Sequence, residues 1–282
     1  DKVNFFKFLK EGDEVPFPEA ESGNLYDILA NVPGVSRSLA QQIMIHTGQD
    51  DKKRGVGMGE VAFALLFSNI DAATNKGDLE LNGKEFEIKG ENAALGATSD
   101  VIFKKRVKEA SDYLNSKMGI TVIDRWGYKV GEDEFPKLNT FPSVVSHAYK
   151  LAASNGAGND FKIAFKEFLK IFGDFNDNIL NSTVYNTIDL NNPKSIQRGI
   201  AVLNLYRYIL LEGFPYFLAH DVGAGGKGSG NYVFASGSPE EIAKKIYNNK
   251  NVKFEKVSYN GLRPRIGFLS RFAEDSEGKV FA

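Results

Sequence analysis

The stretch "GDLELNGKEFEIKG", residues 77–90, decides how this chain is read. At its centre Asn82-Gly83 is the pair preferred by two-residue hairpin turns of the primed type, because both residues tolerate positive φ. That turn fixes a register in which Leu81 faces Lys84, Glu80 faces Glu85, Leu79 faces Phe86 and Asp78 faces Glu87. Side chains alternate along a strand, so Leu79, Leu81, Phe86 and Ile88 share a core face while Asp78, Glu80, Glu85, Glu87 and Lys89 share the other. Opposed side chains stand with Cβ atoms about 5 Å apart, where like charges repel. Facing carboxylates are tolerated when they are solvated, when one is protonated, or when a cation sits between them. Mg²⁺ takes oxygen ligands at about 2.1 Å and is usually held by one or two carboxylates plus substrate phosphate. Asp78 and Glu87 suit that arrangement. Lys89, on the same face, would set an ammonium beside the metal to orient an attacking water and stabilise charge at phosphorus. The plainer alternative is a hairpin whose charged face looks into water, which is the reading for Glu80 and Glu85 near the turn.

Upstream, Glu60 opens a short apolar helix after "GVGMG". An acid on a helix, then Asp78, then Glu87-Ile88-Lys89 on the next strand resembles the PD-(D/E)xK nuclease superfamily. Gly77 stands where the superfamily's name has Pro. The resemblance covers about thirty of the 282 residues. It implies a mixed central sheet of restriction-endonuclease-like type. It also implies that Asp78, Glu87 and the Ile88 carbonyl bind one divalent metal, Mg²⁺ or Mn²⁺, that Glu60 supports this metal or a second one, and that Lys89 assists the water nucleophile.

The rest of the chain fits an α/β or α+β protein with a large helical insertion. With 282 residues, 42% of them hydrophobic, it can bury a substantial core. Lysine and arginine number 35 against 36 acidic residues, so no global field attracts nucleic acid, and any contact with it must be local. Without cysteine there are no disulfides and no thiolate chemistry. The longest apolar runs are too short to span a bilayer. The opening "DKVNFFKFLKEGDE" lacks the pattern of a secretory signal, so a cytoplasmic protein is expected, phage-encoded or virion-associated proteins included. Residues 1–54 read as an N-terminal helical region ending in the polar "GQDDKKRG", and residues 55–282 as the nuclease-like domain. Helical periodicity dominates from residue 99 to 212, with about 99–175 as the insertion; the helix over 193–212 and the strand "FPYFLAH" would complete the helix–strand core. "NYVFAS", "NVKFEKVSY" and "RPRIGFLSRF" read as strands, and "SPEEIAKKIYNN" as a helix with Ser238 as cap.

A second nucleic-acid signal lies in "LYDILANVPGVSRSLAQQIM", residues 25–44, which resembles a helix-hairpin-helix. In such elements turn amides and a helix N-terminus hold a backbone phosphate without reading sequence. Gly34, Ser36 and Arg37 would make the contacts, Ser36 standing where the usual pattern has a second glycine; the alternative is a plain helical hairpin capped by Ser36. "VGAGGKGSG", residues 222–230, fails as a Walker motif because Gly228 follows Lys227, leaving a strand connection or a clamp in which Lys227 meets a phosphate. Arg263 and Arg265 line a channel or pair with surface acids. Gln197 and Tyr206 do not form the Gln-x-x-x-Tyr signature of some exonuclease branches. His46, His147 and His220 lack zinc spacing, and only His220, ending an apolar strand, could reach an active site, a solvent-facing strand end being the equal alternative. Together these readings predict a metal-dependent deoxyribonuclease, an endonuclease with DNA as partner, and a two-fold dimer if both strands are cut. The alternative is a non-catalytic DNA-binding or DNA-end-binding protein of phage-structural type that keeps a nuclease fold.

Overall fold

The computed structural model describes residues 15–47, 59–90, 100–118, 127–130, 133–136, 141–173, 175–222, 228–249, 251–254 and 266–268. The Asn82-Gly83 turn forms with both residues at positive φ, 51° and 74°. It joins β3 (Leu79–Leu81) to β4 (Lys84–Gly90) in the expected register, Leu79 with Phe86, Glu80 with Glu85 and Leu81 with Lys84. β2 (Ile70–Ala72) runs antiparallel to β3. On its other side β4 pairs in parallel with β7 (Tyr216–His220), setting Lys89 beside Ala219 and Gly90 beside His220. β8 (Asn231–Ser236) follows antiparallel, and β1 (Ser22–Asn24) closes the edge. The result is a six-stranded mixed sheet in the order β1-β8-β7-β4-β3-β2.

The chain forms two compact units, one of residues 1–93, 212–253 and 266–282, the other of residues 94–211 and 254–265. Neither the boundary expected near residue 54 nor the end of the insertion near 175 coincides with this division. The N-terminal stretch belongs to the sheet unit because β1 is hydrogen-bonded to β8 and Phe17 packs edge-on against Phe63, Phe67 and Phe234. Two helices follow β1, α1 (Leu25–Ala30) and α2 (Arg37–Thr47), and α3 (Glu60–Leu66) precedes β2. Their apolar faces, with Tyr26, Leu29, Ala62 and Phe63, share one core with Leu79, Leu81, Phe86, Ile88 and Leu218 of the sheet. At about 1.5–3 kcal/mol for each fully buried large side chain, the core face of the hairpin alone anchors its register strongly. A slip of one residue would drive the charged face inward.

The second unit is mainly helical: α4 (Asp100–Met118), α5 (Phe141–Ser154), α6 (Gly158–Gly173), the short α7 (Asp177–Leu180) and α8 (Thr183–Asn186), and all but the last residue of α9 (Pro193–Glu212). Phe161, Phe165, Phe168 and Phe172 stack in succession along α6 and are buried, which accounts for part of the chain's wealth of phenylalanine. β5 (Gly127–Val130) and β6 (Asp133–Pro136) form a separate hairpin. In the sheet unit α10 (Pro239–Asn248) starts on Ser238 as its sequence predicts, and Glu241 completes a capping box with it. β9 (Val252–Phe254) and β10 (Ile266–Phe268) form a two-stranded sheet. Among the described residues no helix is long and apolar enough to cross a membrane.

Candidate active site

The charged face of the hairpin is organised by the loop that leads into it. Glu85 accepts hydrogen bonds from the backbone N–H groups of Asn75 (2.9 Å), Lys76 (3.3 Å) and Gly77 (3.2 Å). Glu80 accepts from the backbone N–H (3.2 Å) and hydroxyl (3.0 Å) of Thr74. These two acids, expected merely to face solvent, instead satisfy a curled loop whose last residue precedes Asp78. Desolvation opposes the ionised form of Glu85, but the Gly77, Lys76 and Asn75 donors outweigh it and hold its carboxyl below the ordinary value. The same contact explains Gly77 in place of proline. Its N–H is a donor that proline lacks, and a Cβ there would lie 2.8 Å from the Glu85 Cβ.

Asp78 stands just outside β3 rather than in the ladder opposite Glu87. Its backbone N–H donates to the Phe86 carbonyl at 3.1 Å, and its carboxylate accepts the Ile88 N–H at 3.0 Å. The side chain thus caps the end of the ladder and is turned toward the stretch Glu87–Lys89. The Lys89 ammonium contacts the Glu87 carboxylate and lies 3.6 Å from Asp78 Oδ2. All three side chains are largely shielded, Glu87 to 10% exposure, Lys89 to 20% and Asp78 to 25%. Burial alone would lower the Lys89 pKa, but Glu87, then Asp78, and from the first turn of α3 also Glu60, hold it above 10.5. Asp78 and Glu87 are thus brought together at one ammonium, and Glu60 adds only a smaller electrostatic influence on it. A lysine held charged in this way donates hydrogen bonds at neutral pH and does not take a proton from water.

Glu60 opens α3, where Gly59 has φ +91°. That start lies at the carboxyl end of the parallel β4–β7 pair, because a Cβ on Gly59 would fall 2.5 Å from Nε2 of His220, the last residue of β7. Carboxyl ends of parallel strands are where open α/β sheets gather ligands. Gly59 of "GVGMGE" thus serves close packing against His220, and residues 55–58 lie outside the described residues.

In the helix-hairpin-helix-like element, Gly34 takes a positive φ of 79° between α1 and α2, and Ser36 Oγ accepts the Leu39 N–H at 3.2 Å as an N-cap. Arg37 donates to Asp27 at 2.7 Å and lies over the Tyr26 ring, so its guanidinium is engaged within the element. Ala40 is fully buried and Ile43 partly so. Lys227, Arg263 and Arg265 lie outside the described residues. The stems of the glycine loop are fixed from the α1 side: the Tyr26 hydroxyl donates toward the carbonyls of Val222 and Gly228, and Asn24 Nδ2 donates to the Ser229 carbonyl.

Among the described residues no group of three or more His, Asp or Glu side chains is gathered as a ready metal cage. The donors at hand are the carboxylates of Asp78 and Glu87 and the Ile88 carbonyl. Both carboxylates already address one cationic group, and a hard dication that keeps water and substrate phosphate in its shell needs no more than this from the protein. The residues fit Mg²⁺ or Mn²⁺ bound together with substrate better than a fully protein-lined site. No protein-family model matches the chain, and neither a curated protein nor a solved structure matches it.

Proposed function

We propose that the chain is a metal-dependent nuclease that hydrolyses DNA phosphodiester bonds, with Glu60, Asp78, Glu87 and Lys89 as its site. The observation that carries this reading is the seating of the Lys89 ammonium between the Glu87 and Asp78 carboxylates, beside the parallel β4–β7 pair. The order α3, β2-β3-β4 and then β7 parallel to β4 supports the restriction-endonuclease-like form of the sheet, whereas α9, expected to complete its core, belongs to the second unit. Asp78, Glu87 and the Ile88 carbonyl would hold the ion. A bound Mg²⁺ supplies a Lewis acid for the phosphoryl oxygen and a more acidic water. Lys89, charged at neutral pH, orients that water and offsets the charge growing at phosphorus. Ile88 donates its N–H to Asp78 and so sets the carboxylate that would face the ion.

A second reading, a DNA-binding or DNA-end-binding protein that retains the fold without cutting, is favoured by one feature: Lys89 already serves both carboxylates as an internal cation. Incubation with linear and circular DNA in Mg²⁺ or in EDTA separates the two. Cuts that need Mg²⁺ and vanish in Asp78→Asn support the nuclease, and cuts in circular DNA make it an endonuclease. DNA that is bound but intact in both Mg²⁺ and Mn²⁺ supports the second reading. Cleavage of both strands at one place would call for a two-fold dimer, checked by mass in solution.

A further inference from the structure

We propose that His220 is a positioning residue for this site: its buried imidazole fixes the first turn of α3 and so holds Glu60 at the carboxyl end of the β4–β7 pair. The inference takes the role of Glu60 from the nuclease reading.

The problem His220 solves is one of sheet faces. Residues paired across a parallel ladder point to the same side, so Ile88, Gly90, Leu218 and His220 face one way and Glu87, Lys89, Phe217 and Ala219 the other. Ala62, Phe63 and Leu66 of α3 pack into the core that holds Ile88 and Leu218. α3 therefore lies on the face opposite Glu87 and Lys89. Glu60 can address Lys89 only around the end of the strands, and small displacements of the helix start would carry it away.

His220 occupies that end and is fully buried. Its partner in the ladder, Gly90, has no side chain to compete for the space. Nδ1 accepts the Val222 N–H at 3.3 Å, so the neutral ring carries its proton on Nε2. The Nε2–Cε1 edge abuts Gly59, where a Cβ would lie 2.5 Å from Nε2 and 2.7 Å from Cε1. The ring packs against Phe63 in a tilted arrangement, at a centroid distance of 5.5 Å. Phe63 in turn donates its N–H to the Gly59 carbonyl at 2.9 Å, closing the first turn of α3. The imidazole thus touches both ends of the turn that carries Glu60, and Gly59 is required both by its φ of +91° and by the imidazole beneath it.

The test uses the full chain with Mn²⁺ alone as probe, its affinity read from the spin resonance of the free ion. His220→Asn keeps an acceptor for Val222 and deletes the atoms that meet Gly59, while Gly59→Ala presses on the same contact from the other side. Each should weaken Mn²⁺ binding about tenfold, the scale of outer-shell effects at metal sites. Glu60→Gln should do the same, and His220→Asn added to it should cost less than about a further twofold, because both act through one carboxylate. Exchange of the Phe63 amide should quicken about tenfold in His220→Asn while the far-UV spectrum stays that of the parent. An unchanged Phe63 exchange rate, or losses from Glu60→Gln and His220→Asn that multiply in full, would overturn the proposal. A parent chain that neither binds Mn²⁺ nor cuts DNA removes the nuclease reading instead. Phe63 exchange then decides alone, faster exchange sustaining the hold of His220 on α3 and an unchanged rate refuting it.

Discussion

Replacing Lys89 by methionine keeps the length of the side chain and removes the charge on which the site is built. The ammonium contacts Glu87 and lies 3.6 Å from Asp78 Oδ2, with 20% of the lysine side chain exposed and 10% of that of Glu87. A unit pair at 4 Å is worth about 4 kcal/mol at an effective dielectric of 20. Breaking a fully buried pair costs about 3–5 kcal/mol, and an exposed pair contributes at most about 1. The partial shielding here places the expected loss between these, about 2–3 kcal/mol. At roughly 2–4 °C per kcal/mol for a protein of this size, Lys89→Met should melt about 4–12 °C lower in EDTA. The two carboxylates it leaves uncompensated are then open to a divalent ion. Mg²⁺ at one hundred times its Kd would return about 2.7 kcal/mol. Thermal melting with Mg²⁺ and with EDTA should therefore show the variant recovering most of its loss in Mg²⁺, and gaining more from the ion than the parent does. A variant that melts within about 1 °C of the parent in EDTA would refute the electrostatic argument. A destabilised variant indifferent to Mg²⁺ would refute the cation site.

The Lys89 pKa is raised above 10.5 by Glu87 and Asp78 against its burial, so its contribution to stability is complete below about pH 10 and disappears as pH climbs through the folded value. Glu85 is held below 4.5 by the loop amides, so its contribution is present above that pH and is lost as pH falls through the folded value; Glu85→Gln should flatten the acid limb of the stability curve. Asn24 caps α1 through the Tyr26 N–H and also binds Ser229 and Asn231, so Asn24→Ala should cost about 1–2 kcal/mol in urea unfolding. If the helix-hairpin-helix-like element holds phosphate, Asp27→Asn should tighten DNA binding by freeing Arg37, and Arg37→Ala should lower the salt slope by about one.

The hairpin was legible because its causes are local: two turn residues and a strict alternation of apolar and charged side chains determine which face each residue takes. The same holds for α5, α6, α9 and α10, whose periodicity sits within their own segments, and for the Ser238 cap of α10. Asp78 departed from the expected cross-strand pairing because its side chain found a better donor, the Ile88 N–H, than a place in the ladder offered. The loop-binding role of Glu85 was hidden because it depends on residues 75–77 curling back, which no periodicity encodes. β1 is only "SGN", too short for alternation to show, so its pairing with β8 and the fusion of the N-terminal stretch into the sheet unit were not visible. His220 could be noticed as a histidine ending an apolar strand, but its contact with Gly59 joins segments far apart in the chain, and neither carries a trace of the other.

The most direct measurement is diffraction from crystals soaked in Mn²⁺, with the anomalous signal recorded for the ion. An anomalous peak within about 2.2 Å of oxygens from both Asp78 and Glu87, with the Lys89 ammonium drawn off the carboxylates toward solvent or phosphate, is the predicted result. No peak at millimolar Mn²⁺ and Lys89 still seated between the two acids would contradict the account.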